Sequence, residues 1–158
     1  MESKGMEQLY QKIANQLNLI IPELWDKVLL YSEVTEWRDK TFFYYYPHEK
    51  NTPVYSLDIE DMDNVDEDEI NNQLRQLNEY LRELWNQFKD NNQEPWTNLT
   101  FELTSQGQFN IDYDYKNLDE EDAYEQQVIW EYEKLGLVPD KNRERDVKII
   151  EEYKRSKN

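Results

Sequence analysis

The sequence of 158 residues has no cysteine, three glycines and one histidine, His48. The absence of cysteine excludes disulfides, thiolate nucleophiles and zinc–thiolate sites. The isolated glycines Gly5, Gly107 and Gly136 cannot form a P-loop or a Gly-x-Gly-x-x-Gly turn. A lone histidine in the loop PHEKNTP is typical of a solvated side chain rather than of a hydrolytic triad. These absences argue against the common catalytic constellations.

Long apolar runs and a basic N-terminal signal segment are also missing, so we expect a soluble cytoplasmic protein. Basic residues are scarce: 18 Lys and Arg stand against 35 Asp and Glu, a net charge of −17. Such a charge repels nucleic acid and anionic lipid and favours a basic partner, although it also serves solubility alone. We expect no direct nucleic-acid or membrane binding.

Apolar periodicity predicts an α+β fold with the element order α-β-β-β-α-β-β-α-α. A single domain, 1–158, would hold about five mostly antiparallel strands with helices packed on one face. The predicted helices cover 4–20, a long segment beginning within 58–69, a segment after 119–122 and a last helix of about 142–155. The predicted strands cover 25–34, 41–47, 54–59 and the two arms of 97–116.

The stretch TNLTFELTSQGQFNIDYDYK, residues 97–116, alternates apolar and polar residues with the period of half-buried strands. Phe109, Ile111 and Tyr113 would face the core, which leaves Asp112 and Asp114 side by side on the other face. Three explanations are open for this pair of like charges. They are metal ligation, binding of a basic surface, and simple solvation of an outward face.

Two acidic runs precede predicted helices, at 58–69 and 119–122. Acids in a first helical turn complement the positive end of the helix dipole, so a structural role is favoured. A calcium loop beginning at Asp61 fails, because Val65 and Asp66 occupy its fifth and sixth positions and Asn72 its twelfth.

The sequence Asp114-Tyr115-Lys116 resembles the acid-x-lysine pair of some metal-dependent nucleases. A second upstream acidic ligand is not marked, and the strong negative charge opposes a polyanionic substrate. The residues therefore favour a binding protein, with no catalytic, cofactor or metal site. A metal-dependent nuclease is kept as a remote alternative.

Several long blocks resemble the YezG/EsaG family of immunity proteins, the antitoxins of LXG-type and related type VII-secreted nuclease toxins of Gram-positive bacteria. The blocks are LYQKIANQLNLIIPELWDKVLLYSEV, FFYYY, YSLDI, LRELWNQFKDNNQEPWTNLTFELTSQGQFNIDYDY and YEKLGLVP. One departure is the connection Trp37-Arg38-Asp39-Lys40, where the family often has glycines.

The resemblance implies a cytoplasmic antitoxin that binds the basic nuclease domain of its toxin and blocks DNA cleavage in the producing cell. We expect a monomer when the protein is free. An acidic chaperone for a basic secreted protein is the alternative. The residues expected to contact the partner are acids and one tyrosine: Glu102, Asp112, Asp114, Tyr115, Asp119, Glu120, Glu121 and Asp122.

Overall fold

The computed structural model describes residues 4–157, and its elements follow the predicted α+β order. They are α1 (Lys4–Ile20), β1 (Trp25–Val34), β2 (Asp39–Pro47), β3 (Val54–Tyr55), α2 (Glu67–Asp90), β4 (Asn98–Thr104), β5 (Phe109–Asp114), α3 (Ala123–Leu135) and α4 (Glu144–Ser156). Short 3₁₀ helices at Ser56–Asp61 and Leu118–Glu120 precede α2 and α3. No helix in the described part is long and apolar enough to cross a membrane.

The five strands form one antiparallel sheet in the order β3-β2-β1-β4-β5, which confirms the predicted sheet. Leu30 of β1 lies opposite Phe43 of β2 on one side and Phe101 of β4 on the other. Phe101 in turn lies opposite Ile111 of β5. Because opposite residues share a face, one apolar row runs across the sheet.

Helices α1 and α2 pack on this inner face, since each carries apolar residues every three or four positions. The most deeply buried members of this core include Ile13, Leu17, Leu30, Phe43, Leu77, Leu81, Leu84, Trp96 and Phe101. The Trp85 Nε1–H donates to the Trp96 carbonyl at 2.9 Å, which satisfies a buried polar group. At the start of α2, the Asp66 carboxylate accepts the N–H groups of Asp68 and Glu69, as expected of an N-cap.

The third strand is shorter than predicted, because residues 54–59 form a strand only at Val54–Tyr55. The backbone N–H of Phe43 donates to the Ser56 hydroxyl at 3.1 Å, so a side chain takes the place of the next ladder bond. The 3₁₀ turn that follows buries Ile59 completely. Smaller boundary corrections are that β2 begins at Asp39, β5 ends at Asp114 and α4 spans Glu144–Ser156.

The chain divides into two compact units, residues 1–115 and 116–158, here called the sheet unit and the helical unit. In the helical unit, α3 and α4 share a small apolar cluster formed by Val128, Ile149 and Ile150. Helix α3 ends at Gly136, whose φ of 67° is left-handed and therefore suits glycine. The single-domain expectation stays a prediction.

Candidate functional site

The acidic pair predicted on β5 lies on the outer face of the sheet, opposite the helices α1 and α2. Asp112 pairs in register with Thr100 and Asp114 pairs with Asn98. Both aspartates are exposed. Successive residues of a strand alternate between faces, so the two carboxylates share the outer face while Tyr113 points inward.

The two carboxylates differ in their hydrogen bonds. Asp114 accepts the Tyr115 backbone N–H at 2.8 Å and the Asn98 side-chain amide at 3.3 Å. Within residues 4–157, Asp112 makes no side-chain hydrogen bond, and neither aspartate forms an ion pair with lysine or arginine. Their negative charges are therefore available to a basic partner.

Glu102 lies on the same outer face, opposite Asn110, but its charge is already matched. Its carboxylate is 3.0 Å from the Lys27 ammonium, and both side chains are about two-fifths exposed. Such exposed pairs contribute little to stability, but they lower the net field at their own position. Glu102 therefore adds less negative potential than Asp112.

Tyr115, the one aromatic residue among the predicted contacts, is 44% exposed and lines a pocket of about 380 Å³. The pocket belongs to the sheet unit, and its walls come from α1, the end of α2 and β5. Its lining residues are Met6, Tyr10, Phe88, Gln93, Glu94, Tyr113 and Tyr115. The Tyr10 and Tyr113 hydroxyls are 2.7 Å apart, which ties helix α1 to strand β5.

The second predicted group, Asp119 to Asp122, belongs to the helical unit, where all four side chains are exposed. Asp122 is the N-cap of α3, since its carboxylate accepts the Glu125 N–H at 3.0 Å. Glu121 accepts the Gln126 side-chain amide at 3.3 Å. A local structural role therefore accounts for Asp122, and partner contact by this group stays a prediction.

The candidates for catalysis do not assemble into a site in the described residues. His48 Nδ1 lies 2.8 Å from an Asp26 oxygen, and the other Asp26 oxygen accepts the Glu49 N–H. The His48 hydrogen bond is the main cause of a lowered Asp26 pKa, and the same bond raises the pKa of His48. This exposed pair ties the start of β1 to the end of β2.

The metal alternatives also lack a geometric basis. Within residues 4–157, no three His, Asp or Glu side chains come together in a way that could hold a metal ion. Strand β5 ends at Asp114, so Lys116 lies beyond the strand, whereas the predicted strand arm extended to residue 116.

Sequence reasoning missed that half of the outer face is aromatic. Tyr31, Phe42 and Tyr44 point to this face and are buried, and the Tyr31 hydroxyl donates to Glu33 at 2.5 Å. Burial, followed by this hydrogen bond, raises the pKa of Tyr31. The available signal was the lack of alternation in LLYSEV and FFYYY, which is typical of strands buried on both faces. Only the β4–β5 half of the face is polar.

A family model and several individual proteins match most of this chain. The family model "Immunity protein YezG-like" matches residues 6–149. The chain is 39% identical over 155 residues to Immunity protein YezG of Bacillus spizizenii, covering 97% of this chain and 95% of the relative. It is 41% identical over 137 residues to Immunity protein YezG of Bacillus subtilis, covering 85% and 91%.

A more distant relative is the Type VII secretion system protein EsaG of Staphylococcus aureus. The identity is 27% over 151 residues, covering 94% of this chain and 93% of the relative. The family match spans most of the chain, and the two Bacillus relatives align along nearly their whole length. The chain therefore belongs to the YezG-like family of immunity proteins.

Proposed function

We propose that this protein binds the nuclease domain of a cognate secreted toxin and neutralises it in the cytoplasm of the producing cell. The observation that carries the proposal is the exposed pair Asp112 and Asp114 on a sheet face, without cationic partners in the described residues, in an immunity protein of net charge −17. The relative EsaG is named for type VII secretion, which supports a secreted toxin as the partner.

Membership of the family makes the chain a non-enzymatic inhibitor with a toxin as its partner. A nuclease must attract phosphate, so its substrate-binding surface presents lysine and arginine. The outer face at β5 offers a complementary potential, which accelerates encounter and sets specificity. Affinity in such interfaces usually comes from aromatic anchors, and Tyr115, the residue after Asp114, presents a 44% exposed side chain at the pocket on the inner side of the same edge.

The test is nuclease activity titrated with the protein and with two double charge reversals. Asp112→Lys with Asp114→Lys should raise the concentration needed for half-inhibition by at least about tenfold, because it places like charges against a basic partner. Glu79→Lys with Glu83→Lys on the exposed side of α2 makes the same change in net charge on another surface. This control should inhibit nearly as well as the parent.

The thermal melts of both double variants should stay close to that of the parent, since exposed substitutions usually change stability by about 0.5 kcal/mol or less. Equal inhibition by the β5 variant and the parent would place the interface elsewhere. Equal weakening of inhibition by both variants would show that net charge, and not the position of the acids, determines the effect. A nuclease that the parent binds without inhibiting would favour the chaperone alternative.

A further inference from the structure

The two edges of the sheet differ in length. The β3 edge has only the two residues Val54–Tyr55, whereas the β5 edge has the six residues Phe109–Asp114. Natural proteins blunt long edge strands with charged side chains, proline or bulges. Strand β5 has the sequence FNIDYD, its pairing with β4 shows no register shift, and its charged side chains are Asp112 and Asp114, which oppose an acidic strand but not a basic one.

The hydrogen-bond pattern shows which backbone groups face this open edge. The Thr104 N–H donates to the Gln108 carbonyl at 2.8 Å, so this is a hydrogen-bonded pair of the β4–β5 ladder. In an antiparallel ladder such pairs recur at every second residue. Asn110 and Asp112 therefore bond to β4, and the backbone groups of Phe109 and Ile111 point away from β4.

The charges beside this edge select against a second copy of the chain and in favour of a basic segment. A second β5 strand added to the edge would bring its own aspartates next to Asp112 and Asp114 on the outer face, where like charges repel. A strand with lysine or arginine at its outward positions would instead meet the two acids with opposite charge.

The inner side of the edge fits the same occupant. The pocket of about 380 Å³ has aromatic walls from Tyr10, Phe88 and Tyr113, and Glu94 supplies a carboxylate among its lining residues. The ring centroids of Phe88 and Tyr113 are 5.0 Å apart in an edge-to-face arrangement. Aromatic faces beside a carboxylate suit the long stem and charged head of arginine or lysine.

We propose that the open edge of β5 takes an extended basic segment of the toxin as a sixth strand. The added strand would bond to the backbone at Phe109 and Ile111, place basic side chains against Asp112 and Asp114, and insert one into the pocket at Tyr115. This inference rests on the proposed function and specifies how the partner is bound.

Ile111→Pro tests the backbone contact, and Ile111→Ala is its matched control. Both remove the branched isoleucine side chain, but only proline removes the edge-facing N–H, and an N–H that points off an edge strand is not needed by the ladder. If both variants fold, Ile111→Pro should bind the cognate nuclease domain at least about tenfold more weakly than Ile111→Ala. Equal affinities would overturn the inference while leaving inhibition by the parent intact.

Amide hydrogen exchange of the unaltered protein, followed by NMR, gives a second measurement that does not depend on the folding of a proline variant. Addition of the nuclease domain should slow exchange at Ile111, whereas Asp112, whose N–H already faces β4, should change little.

If the nuclease binds and exchange at Ile111 is unchanged, the edge-strand inference is overturned and the proposed function is not. Protection at Ile111 that rises with the protein's own concentration would assign the edge to a second copy and overturn it too. Failure of the parent to bind nuclease would overturn both proposals.

Discussion

The sheet unit carries 23 acidic and 9 basic residues, whereas the helical unit carries 12 and 9. The sheet unit tolerates this imbalance because its stability comes from one large apolar core under α1 and α2. Burial of apolar surface is insensitive to the sign of surface charge. The sheet unit can therefore carry a strongly acidic surface without losing the stability of its core.

The helical unit has a smaller apolar cluster and adds a polar one. Asp146, only 4% exposed, accepts a hydrogen bond from the Tyr124 hydroxyl and lies 2.9 Å from the Arg143 guanidinium. The Arg145 guanidinium stacks over the Tyr124 ring at 4.4 Å and approaches Asp122. Stability of the α3–α4 pair therefore depends more on the satisfaction of a buried carboxylate.

The largest expected loss comes from Phe101→Ala in the sheet unit. Phe101 is fully buried, and its ring stacks on Phe109 with centroids 5.6 Å apart. Truncation of a buried phenylalanine leaves a cavity and should lower the free energy of unfolding by about 3–5 kcal/mol. Urea unfolding followed by tryptophan fluorescence measures it.

Phe109→Ala is the control, because it removes the other ring of the same stacked pair from a position that is 47% exposed. It should cost clearly less, since part of its surface is already in water. Equal losses would contradict the idea that burial in one core decides the stability of this unit.

Asp146→Ala should give the next largest loss, now in the helical unit. The substitution removes the acceptor of the Tyr124 hydroxyl and the ion-pair partner of Arg143, and a loss of about 1–3 kcal/mol follows for a buried hydrogen-bonded carboxylate. Hydrogen-exchange mass spectrometry should show faster exchange in α3 and α4. Tyr124→Phe removes only the hydroxyl and should have a smaller effect. Unchanged exchange in Asp146→Ala would mean that the apolar cluster alone holds the pair.

The sequence was sufficient for the fold wherever residue periodicity decides the structure. The span of α1 and the β4–β5 hairpin follow directly from apolar spacing, and the span of β1 follows from its aromatic and β-branched residues. The strand at 54–59 was predicted too long, because the Ser56 hydroxyl accepts a backbone N–H that a longer strand would have paired with its own backbone. A contact between residues 13 positions apart leaves no local signal.

The candidate site was also predictable only in part, because some of its contacts join residues that are distant in the sequence. Alternation places Asp112 and Asp114 on one face, but it cannot show that Lys27 pairs with Glu102. The pocket beside Tyr115 depends on where the ends of α1 and α2 meet β5, which is a property of tertiary packing. Tyr113 was expected to face the core and does pack against it, but its second position in the pocket wall had no sequence pattern.

Helix ends offer a third, smaller comparison between the units. Asn92 follows α2 with a φ of 56°, and Gly136 follows α3 with a φ of 67°, so the same left-handed conformation is adopted by different residues. Gly136→Ala should cost about 1 kcal/mol, because a Cβ is strained in this conformation. Asn92→Gly should change stability by a few tenths of a kcal/mol at most, since asparagine already tolerates it. Chemical denaturation of both variants measures the difference, and a neutral Gly136→Ala would contradict the strain argument.

The smallest expected effect is a pH dependence confined to the sheet unit, at the exposed pair of His48 and Asp26. The His48 pKa is raised in the folded protein by the hydrogen bond to Asp26. The stability that His48 contributes is therefore fully present below its unfolded pKa of about 6.5 and is lost as pH rises through its folded pKa. The Asp26 pKa is lowered, chiefly by the same bond. The stability that Asp26 contributes is therefore present above its unfolded pKa of about 3.9 and is lost as pH falls through its folded pKa.

The two contributions overlap between about pH 4 and pH 6.5, where the charged pair should stabilise the loop most. Thermal melts of the parent and of His48→Asn from pH 5 to pH 8.5 isolate the histidine contribution as a difference between two curves. That difference should be largest at the acidic end and should shrink as pH rises, because neutral His48 no longer attracts the Asp26 carboxylate. Since both side chains are exposed, added salt should reduce the difference further. A difference that is independent of pH and salt would show that the His48 N–H serves only as a neutral hydrogen-bond donor.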